Sequence, residues 1–384
     1  MVLQVALSLV LLTGALLFGR SLRNLMTLDT GLKEDGLLIA QVDASNLKYT
    51  PERRAIYYNN LLERLRAIPG VERAANANIV QLSGSSWNPP IQVIGQPIKS
   101  DQPAPLFNRV TPGYFETMGT PMVAGRDFND RDTLTSPEVA IVSKKFQEEY
   151  LNGADPIGRQ FRMLTGPGEK PHSYQIVGVV KDSKFRSVAA DFVPLVFVAM
   201  GQDESWLGAN LIVRSHEPAG PLTAAIKNAI LAENPNAEFI FQVFRTQVSN
   251  SLLRERLMAT LSGFFGGLAA LLASVGLYGV ISYMVARRRN EIGIRVALGA
   301  SRADVVRLVF REAAIVLGVG ILIGVALSLG GLRATQALLY GLQTTDPVTI
   351  GLAAALLAAV SLFASWVPAY RASRLDPVQS LREE

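Results

Sequence analysis

The side chains able to do chemistry in this sequence are few, and their spacing serves little of it. His172 and His216 are its two histidines, and neither has ligand-spaced neighbours. A zinc site is therefore not expected. Asp127, Asp130 and Asp132 imitate part of a calcium loop. No turn glycine and no closing glutamate follow at the required spacing, so a solvated turn is the better reading. Cysteine is absent, which excludes disulfides and thiolate chemistry. No G-x-x-x-x-G-K-[ST] occurs, since Gly153 to Gly158 leads into Arg159 and Gln160, and ATP phosphates cannot be cradled by that means. The expectation is no catalytic residue, no metal, no cofactor and no enzyme activity. Energy for any work must come from another polypeptide.

One charged constellation is more promising. Glu291 and Arg295 lie four apart and pair on one face if the segment is helical. Ile292, Ile294, Val296 and Leu298 give the same segment an apolar side, and Gly299 ends it. Ser301 with Asp304 resembles a capping box opening a second helix. That helix has Val305, Val306, Leu308 and Val309 on one side and Arg302, Arg307 and Arg311 on the other. Such a helix-break-helix suits a handle for a partner protein, and equally a basic loop resting on anionic lipid.

The elements that must hold this segment are apolar. No Asp, Glu, Lys or Arg occurs from Val2 to Gly19, Leu257 to Ala286, Ala313 to Leu332, or Pro347 to Tyr370. Each run reaches or approaches the roughly 18–20 residues that cross a bilayer core as helix. The first has no basic n-region before it and no small-residue cleavage site after it, which predicts a retained helix, not a signal peptide. Seven arginines between the second and third runs, and three in the tail, place that loop and the C-terminus in the cytoplasm. Counting back across the spans puts the N-terminus inside and Ser21–Arg256 outside. The net charge of +5 suggests no nucleic acid. Ser21–Arg256 holds 25 basic and 25 acidic residues, so the excess belongs to the membrane part and reports topology.

The outer region reads as α+β. Strands are predicted at 37–42, 71–80, 91–94, 139–143, 174–180, 195–199, 209–213 and 239–244, and helices at 52–68, 144–151 and 221–233. Residues 247–256 read as a polar helix continuing into the second span as a stalk. The fold class is thus membrane α-helical, with four transmembrane helices and a large extracytoplasmic α+β domain inserted between helices 1 and 2. The predicted division is helix 1 at 1–20, the outer domain with stalks at 21–256, and helix 2 at 257–286. A cytoplasmic loop follows at 287–312, helix 3 at 313–332, an outer loop at 333–346, helix 4 at 347–370 and a cytoplasmic tail at 371–384.

Three segments together resemble the MacB/FtsX-type permeases, the membrane subunits of mechanotransmission ABC transporters. Residues 286–301 (ARRRNEIGIRVALGAS) are similar to the family's R-x-x-E-I-G-I-R-x-A-L-G-A stretch. Residues 368–382 are similar to its closing P-A-x-R-A-x-x-x-x-P-x-x-A-L-R, with Tyr370 and Ser380 departing from it. Tyr114-Phe115 and Gly119, with Gly125-Arg126 and Phe128, are similar to its outer-domain Y-F-x-x-x-G and G-R-x-F. The chain opens without the lead-in that members usually have, which suggests a truncated chain or the C-terminal half of a duplicated permease.

The resemblance implies a MacB-like periplasmic core domain at the outer position and multi-pass residence in the cell inner membrane. It implies a cytoplasmic ABC ATPase docking on Glu291, Ile292, Gly293, Arg295, Leu298, Gly299, Ala300 and Ser301. Further implied contacts are membrane lipid, a second permease copy or half, and a periplasmic partner, but no nucleic acid. Two functions fit: a permease coupling ATP hydrolysis to substrate export or extraction, and a non-transporting signalling or scaffold protein that activates a periplasmic or cell-wall partner.

Overall fold

The structure is a computed structural model that describes residues 1–43, 49–97, 102–164, 172–203, 208–288, 302–335 and 346–372. The chain divides into a membrane body, Met1–Thr27 with Leu253–Glu384, and an outer body, Leu28–Leu252.

The membrane body is built from α1 (Val2–Met26) and three later helices, Leu253–Arg287, Arg302–Thr335 and Pro347–Ala372, named α7, α8 and α9 in chain order. All four carry a stretch long and apolar enough to cross a membrane. Between helices in lipid the hydrophobic effect offers little, so close packing and small residues decide the contacts. α1 packs on each of the other three, and Val5, Leu9, Leu12, Ala273, Leu277 and Leu357 are among the residues of the common core. Gly266 meets α1 at Leu12 and Ala15, while Gly320 meets Val5 and Gly324 meets Leu9. Ser8 donates to the Ala269 carbonyl and Gln4 to that of Leu272, adding polar ties between α1 and α7. Gly263, Gly267, Gly279 and Gly318 have open space above their Cα atoms. The glycines therefore sort into two sets, one packed within this bundle and one facing outward.

The outer body is a mixed eleven-stranded sheet bearing helices. In chain order the strands are β1 Leu37–Asp43, β2 Val71–Ala77, β3 Ile91–Val93, β4 Leu106–Val110, β5 Met122–Gly125 and β6 Val139–Ser143. The rest are β7 Gln160–Met163, β8 His172–Val180, β9 Leu195–Ala199, β10 Gly208–Ser215 and β11 Glu238–Val243. The helices are α2 (Pro51–Arg66), α3 (Tyr114–Met118), α4 (Lys144–Leu151), α5 (Ala219–Glu233) and α6 (Phe244–Ser251). Strand order is β11-β1-β10-β2-β4-β9-β6-β8-β7-β3, with β5 alongside β8. β2 and β4 pair only at Ala77 and Val110, so one rung joins two halves with separate cores. The first half is antiparallel, and α2 and α5 bury Tyr58, Leu61, Leu65, Ile226 and Ile230 against it. The second half contains the parallel pairs β4–β9 and β6–β8 and an aromatic core of Phe107, Phe146, Phe161 and Tyr174.

Local signals explain several boundaries. Thr50 caps α2 by accepting from the Arg53 amide, with Pro51 in the first turn, where its missing N–H costs nothing. Ser143 caps α4 from the last position of β6 and also accepts from the Leu195 amide, joining helix start to β9. The predicted stalk over 247–256 is not one helix. α6 ends at Ser251, Leu252 takes a turn conformation with its amide on Ser249, and α7 begins at Leu253.

Candidate functional site

The predicted docking residues Glu291, Ile292, Gly293, Arg295, Leu298, Gly299, Ala300 and Ser301 lie outside the described residues. Their flanks are described. α7 ends in exposed Arg287, followed by exposed Arg288, and α8 carries exposed Arg307 and Arg311. Arg288 pairs with Glu312, which sets the end of α7 level with the third turn of α8. The basic residues flanking the segment thus converge at one end of the membrane body. Arg20 of α1 pairs with Asp346, which opens α9 by accepting from the Thr349 hydroxyl and the Val348 amide. The Thr349 hydrogen bond, with the amide and Arg20, holds the Asp346 carboxyl below its ordinary range.

The outer body holds a second arrangement, at the two places where the chain enters and leaves it. Asp29 accepts from Lys181 and from the Gly31 amide, which together keep its carboxyl below the usual carboxylate range. Gly31 has a φ of +74°, and a Cβ there would lie 2.3 Å from the Asp182 carbonyl, so only glycine fits. Buried Arg214 on β10 donates to three carbonyls, Thr117 at 2.7 Å, Asp35 at 2.9 Å and Lys33 at 2.8 Å. One guanidinium thereby fixes the entry segment to α3. Burial lowers its pKa from the ordinary arginine value.

The exit segment reaches the same network. Gln247 of α6 donates to the Gln81 carbonyl, and the Gln81 side chain accepts from the Tyr114 hydroxyl and donates to Ser183. Leu82, next in sequence, is held at a φ of +64° with its amide on Phe185, a conformation a leucine takes only under tertiary constraint. Asp35 at the entry pairs with Arg245 at the exit. Both crossings are therefore tied to each other and to the strand framework.

The aromatic and glycine motif of the sequence builds this clamp. Tyr114 is fully buried, which pushes its phenol pKa up, and Phe115 packs on Phe128 and Phe197. Gly119, at a φ of +72°, lies against Lys33 of the entry segment. Asp127 accepts from the Gly113 and Phe128 amides, and burial nonetheless raises its pKa. Asp132 is occupied by a bidentate contact with Arg126 and by the Asn129 amide, so Asp127 and Asp132 serve structural contacts while Asp130 is exposed. The histidines pair with carboxylates, His172 with Glu138 and His216 with Glu72. Gln81, Arg214 and Gln247 carried no signal in the sequence, because each is an isolated polar residue whose burial only the fold decides.

Residues 1–229 match the family of MacB-like periplasmic core domains, and residues 263–377 match the FtsX-like permease C-terminal family. The chain belongs to the MacB/FtsX family of ABC transporter permeases. The permease is similar to the uncharacterized ABC transporter permease YknZ of Bacillus subtilis, 25% identical over 286 residues that cover 72% of this chain and 70% of that protein. It is similar to the macrolide export ATP-binding/permease protein MacB of Rhodospirillum rubrum, 28% identical over 72% of this chain and 43% of that one. It is also similar to the pyoverdine export ATP-binding/permease protein PvdT of Pseudomonas putida, 30% identical over 70% of this chain and 41% of that one. The permease thus spans less than half the length of the MacB and PvdT proteins that it matches. Among solved structures, the periplasmic region of MacB from Actinobacillus actinomycetemcomitans aligns at 11% identity with a TM-score of 0.40, covering 59% of this chain and 97% of that one. The permease is a multi-pass membrane protein with an outer α+β domain after its first helix.

Proposed function

We propose that this permease works by mechanical coupling: nucleotide-driven movement of a cytoplasmic ABC ATPase is passed through the membrane helices to the outer domain, which exports or extracts a substrate. The observation that carries this reading is the clamp, because Arg214, Gln81 and Gln247 fasten the entry and exit segments to that domain. In this reading a displaced α1 or α7 pulls on segments that are fastened to the domain. The membrane helices add support, since the buried polar side chains of the described spans are serines and threonines, which suit packing better than an ion path. In this reading the loop 287–312 and the tail 371–384 face the cytoplasm of the inner membrane. Residues 21–256 face outward, and a second permease copy or half completes the assembly.

The ATPase docks on Glu291, Ile292, Gly293, Arg295, Leu298, Gly299, Ala300 and Ser301. Reversing a docked charge costs about 2–5 kcal/mol, or roughly 30-fold and more in affinity. Arg295→Glu should therefore insert and express, yet lose the co-purifying ATPase. Arg307→Glu, on an exposed face of α8, should retain it. Equal retention by both variants would leave the segment as a basic loop on lipid and overturn the docking. Export loss in Arg295→Glu cells separates transport from the signalling alternative.

A further inference from the structure

α1 and α8 touch along a seam that repeats every four residues. A Cβ at Gly320 would lie 2.6 Å from Cγ1 of Val5 and 3.2 Å from the Val2 carbonyl. One turn on, a Cβ at Gly324 would lie 2.9 Å from Cδ2 of Leu9 and 3.0 Å from the Ala6 carbonyl. Residue numbers rise together on the two helices, so they run parallel at a fixed offset. The next equal step falls at Ser328 on α8 and Thr13 on α1. Both are buried, Thr13 at 0% exposure and Ser328 at 1%. Among the described residues neither hydroxyl has a hydrogen-bond partner. Other hydroxyls in this bundle do have one, since Ser8 donates to Ala269, Ser274 to Ala270 and Ser365 to the Ser361 carbonyl, while the buried Ser361 hydroxyl on α9 is a third without one.

A buried hydroxyl without a partner is unfavourable, and more so where lipid surrounds the helices and no water competes. Two of them at the next step of one seam are complementary, because each can donate and accept. At Gly320 and Gly324 the interlocking side chains come from α1 alone, Val5 and Leu9, and shifts of about 1–2 Å between packed helices are an ordinary step of conformational switching. The seam's two helices are also the right ones. α8 begins at Arg302, within the segment 287–312, and α1 ends at Met26, shortly before the Asp29–Asp35 entry segment.

We propose that α1 and α8 slide along this glycine seam when the ATPase turns over, and that Thr13 and Ser328 hydrogen-bond to each other in the shifted register and latch it. The arrangement described here is the unlatched one. The inference rests on the mechanical-coupling reading and adds to it the contact that moves.

The absence of cysteine permits a direct test in the full chain with its co-purified ATPase. Thr13→Cys with Ser328→Cys is oxidised in the absence of nucleotide and with MgATP plus vanadate. A disulfide needs Cα atoms about 4.4–6.8 Å apart, so a small slide changes its rate. A separate preparation carries an environment-sensitive fluorophore on Ile240→Cys, an exposed outer-domain position. The expected result is a rate change of about fivefold or more between the two conditions, the lower end of ordinary coupling between sites. Equal rates in both conditions, with the Ile240 signal still responding to nucleotide, would overturn the latch and leave mechanical coupling intact. No response at Ile240 would overturn mechanical coupling, and the latch with it. Thr13→Val with Ser328→Ala keeps the packing and removes both hydroxyls. It should still bind the ATPase but lose the Ile240 response by a comparable factor, and full retention of that response would equally sink the proposal.

Discussion

Replacing Arg214 by methionine keeps much of the buried volume and deletes the group that ties the entry segment to α3. Three carbonyls, those of Lys33, Asp35 and Thr117, would lose their donor in a site where Arg214 is only 6% exposed. Hydrogen bonds from a charged donor contribute about 1.5–3 kcal/mol each, roughly 5–9 for three. The variant regains the several kcal/mol that desolvating a guanidinium costs, so the net loss is about 3–5 kcal/mol. For a domain the size of Leu28–Leu252, each kcal/mol moves the melting point by about 2–4 °C, which predicts a fall of roughly 6–20 °C. Calorimetry on residues 28–252 measures it, and hydrogen exchange at 31–35 should speed in parallel. Arg214→Lys should fall between, because one ammonium on a flexible stem cannot reach all three carbonyls. A drop under about 2 °C for Arg214→Met, less than ~1 kcal/mol, would show that the entry segment is held by something else.

Acid stability and topology give two further expectations. Burial alone would raise Asp132, but hydrogen bonds from Arg126 and the Asn129 amide hold its carboxyl below the model-compound value of 3.8. Its contribution is therefore present above that pH and lost as pH falls through the lower folded value, whereas Asp127, raised by burial, runs the opposite way. Melting of the outer domain between about pH 5 and 2 should show a shallower acid limb in Asp132→Asn, and an unchanged limb would remove Arg126–Asp132 from the account. For topology, Ile157→Cys should react with an impermeant thiol reagent in spheroplasts and Arg307→Cys should not; both positions are exposed. Reversed labelling would refute the orientation drawn from arginine counts.

The membrane helices were legible because a missing charge is a global signal: each uncharged run sits inside one helix. The outer domain was legible where strands are buried on both faces, as in Val139–Ser143 and Leu195–Ala199. β4 (LFNRV) was hidden by Asn108 and Arg109. Asn108 is in fact buried and exchanges hydrogen bonds with the backbone of Ile79, while Arg109 pairs with Asp203 under Trp87. β5 is four residues, mostly exposed, and β7 is no longer, so neither carries enough periodicity to see. The interruption at Leu252 has no glycine or proline to announce it. The clamp was half legible: Tyr114, Phe115, Gly119 and Gly125 form a recognisable pattern, but its hydrogen bonds come from residues that nothing in the sequence distinguishes.

α7 carries the long uncharged run Leu257–Ala286, 30 residues, about 45 Å at 1.5 Å per residue against a hydrocarbon layer of about 30 Å. The uncharged runs of α8 and α9, Ala313–Leu332 and Pro347–Tyr370, have 20 and 24 residues and lie nearer that layer. Bilayer thickness is thus set by two helices and ignored by a third. In lipids with longer acyl chains α7 still reaches both faces, while the shorter spans must thin the membrane around them or draw their ends inward. Acyl-chain length becomes a control variable for this permease, one that reconstitution in thin and thick bilayers would expose.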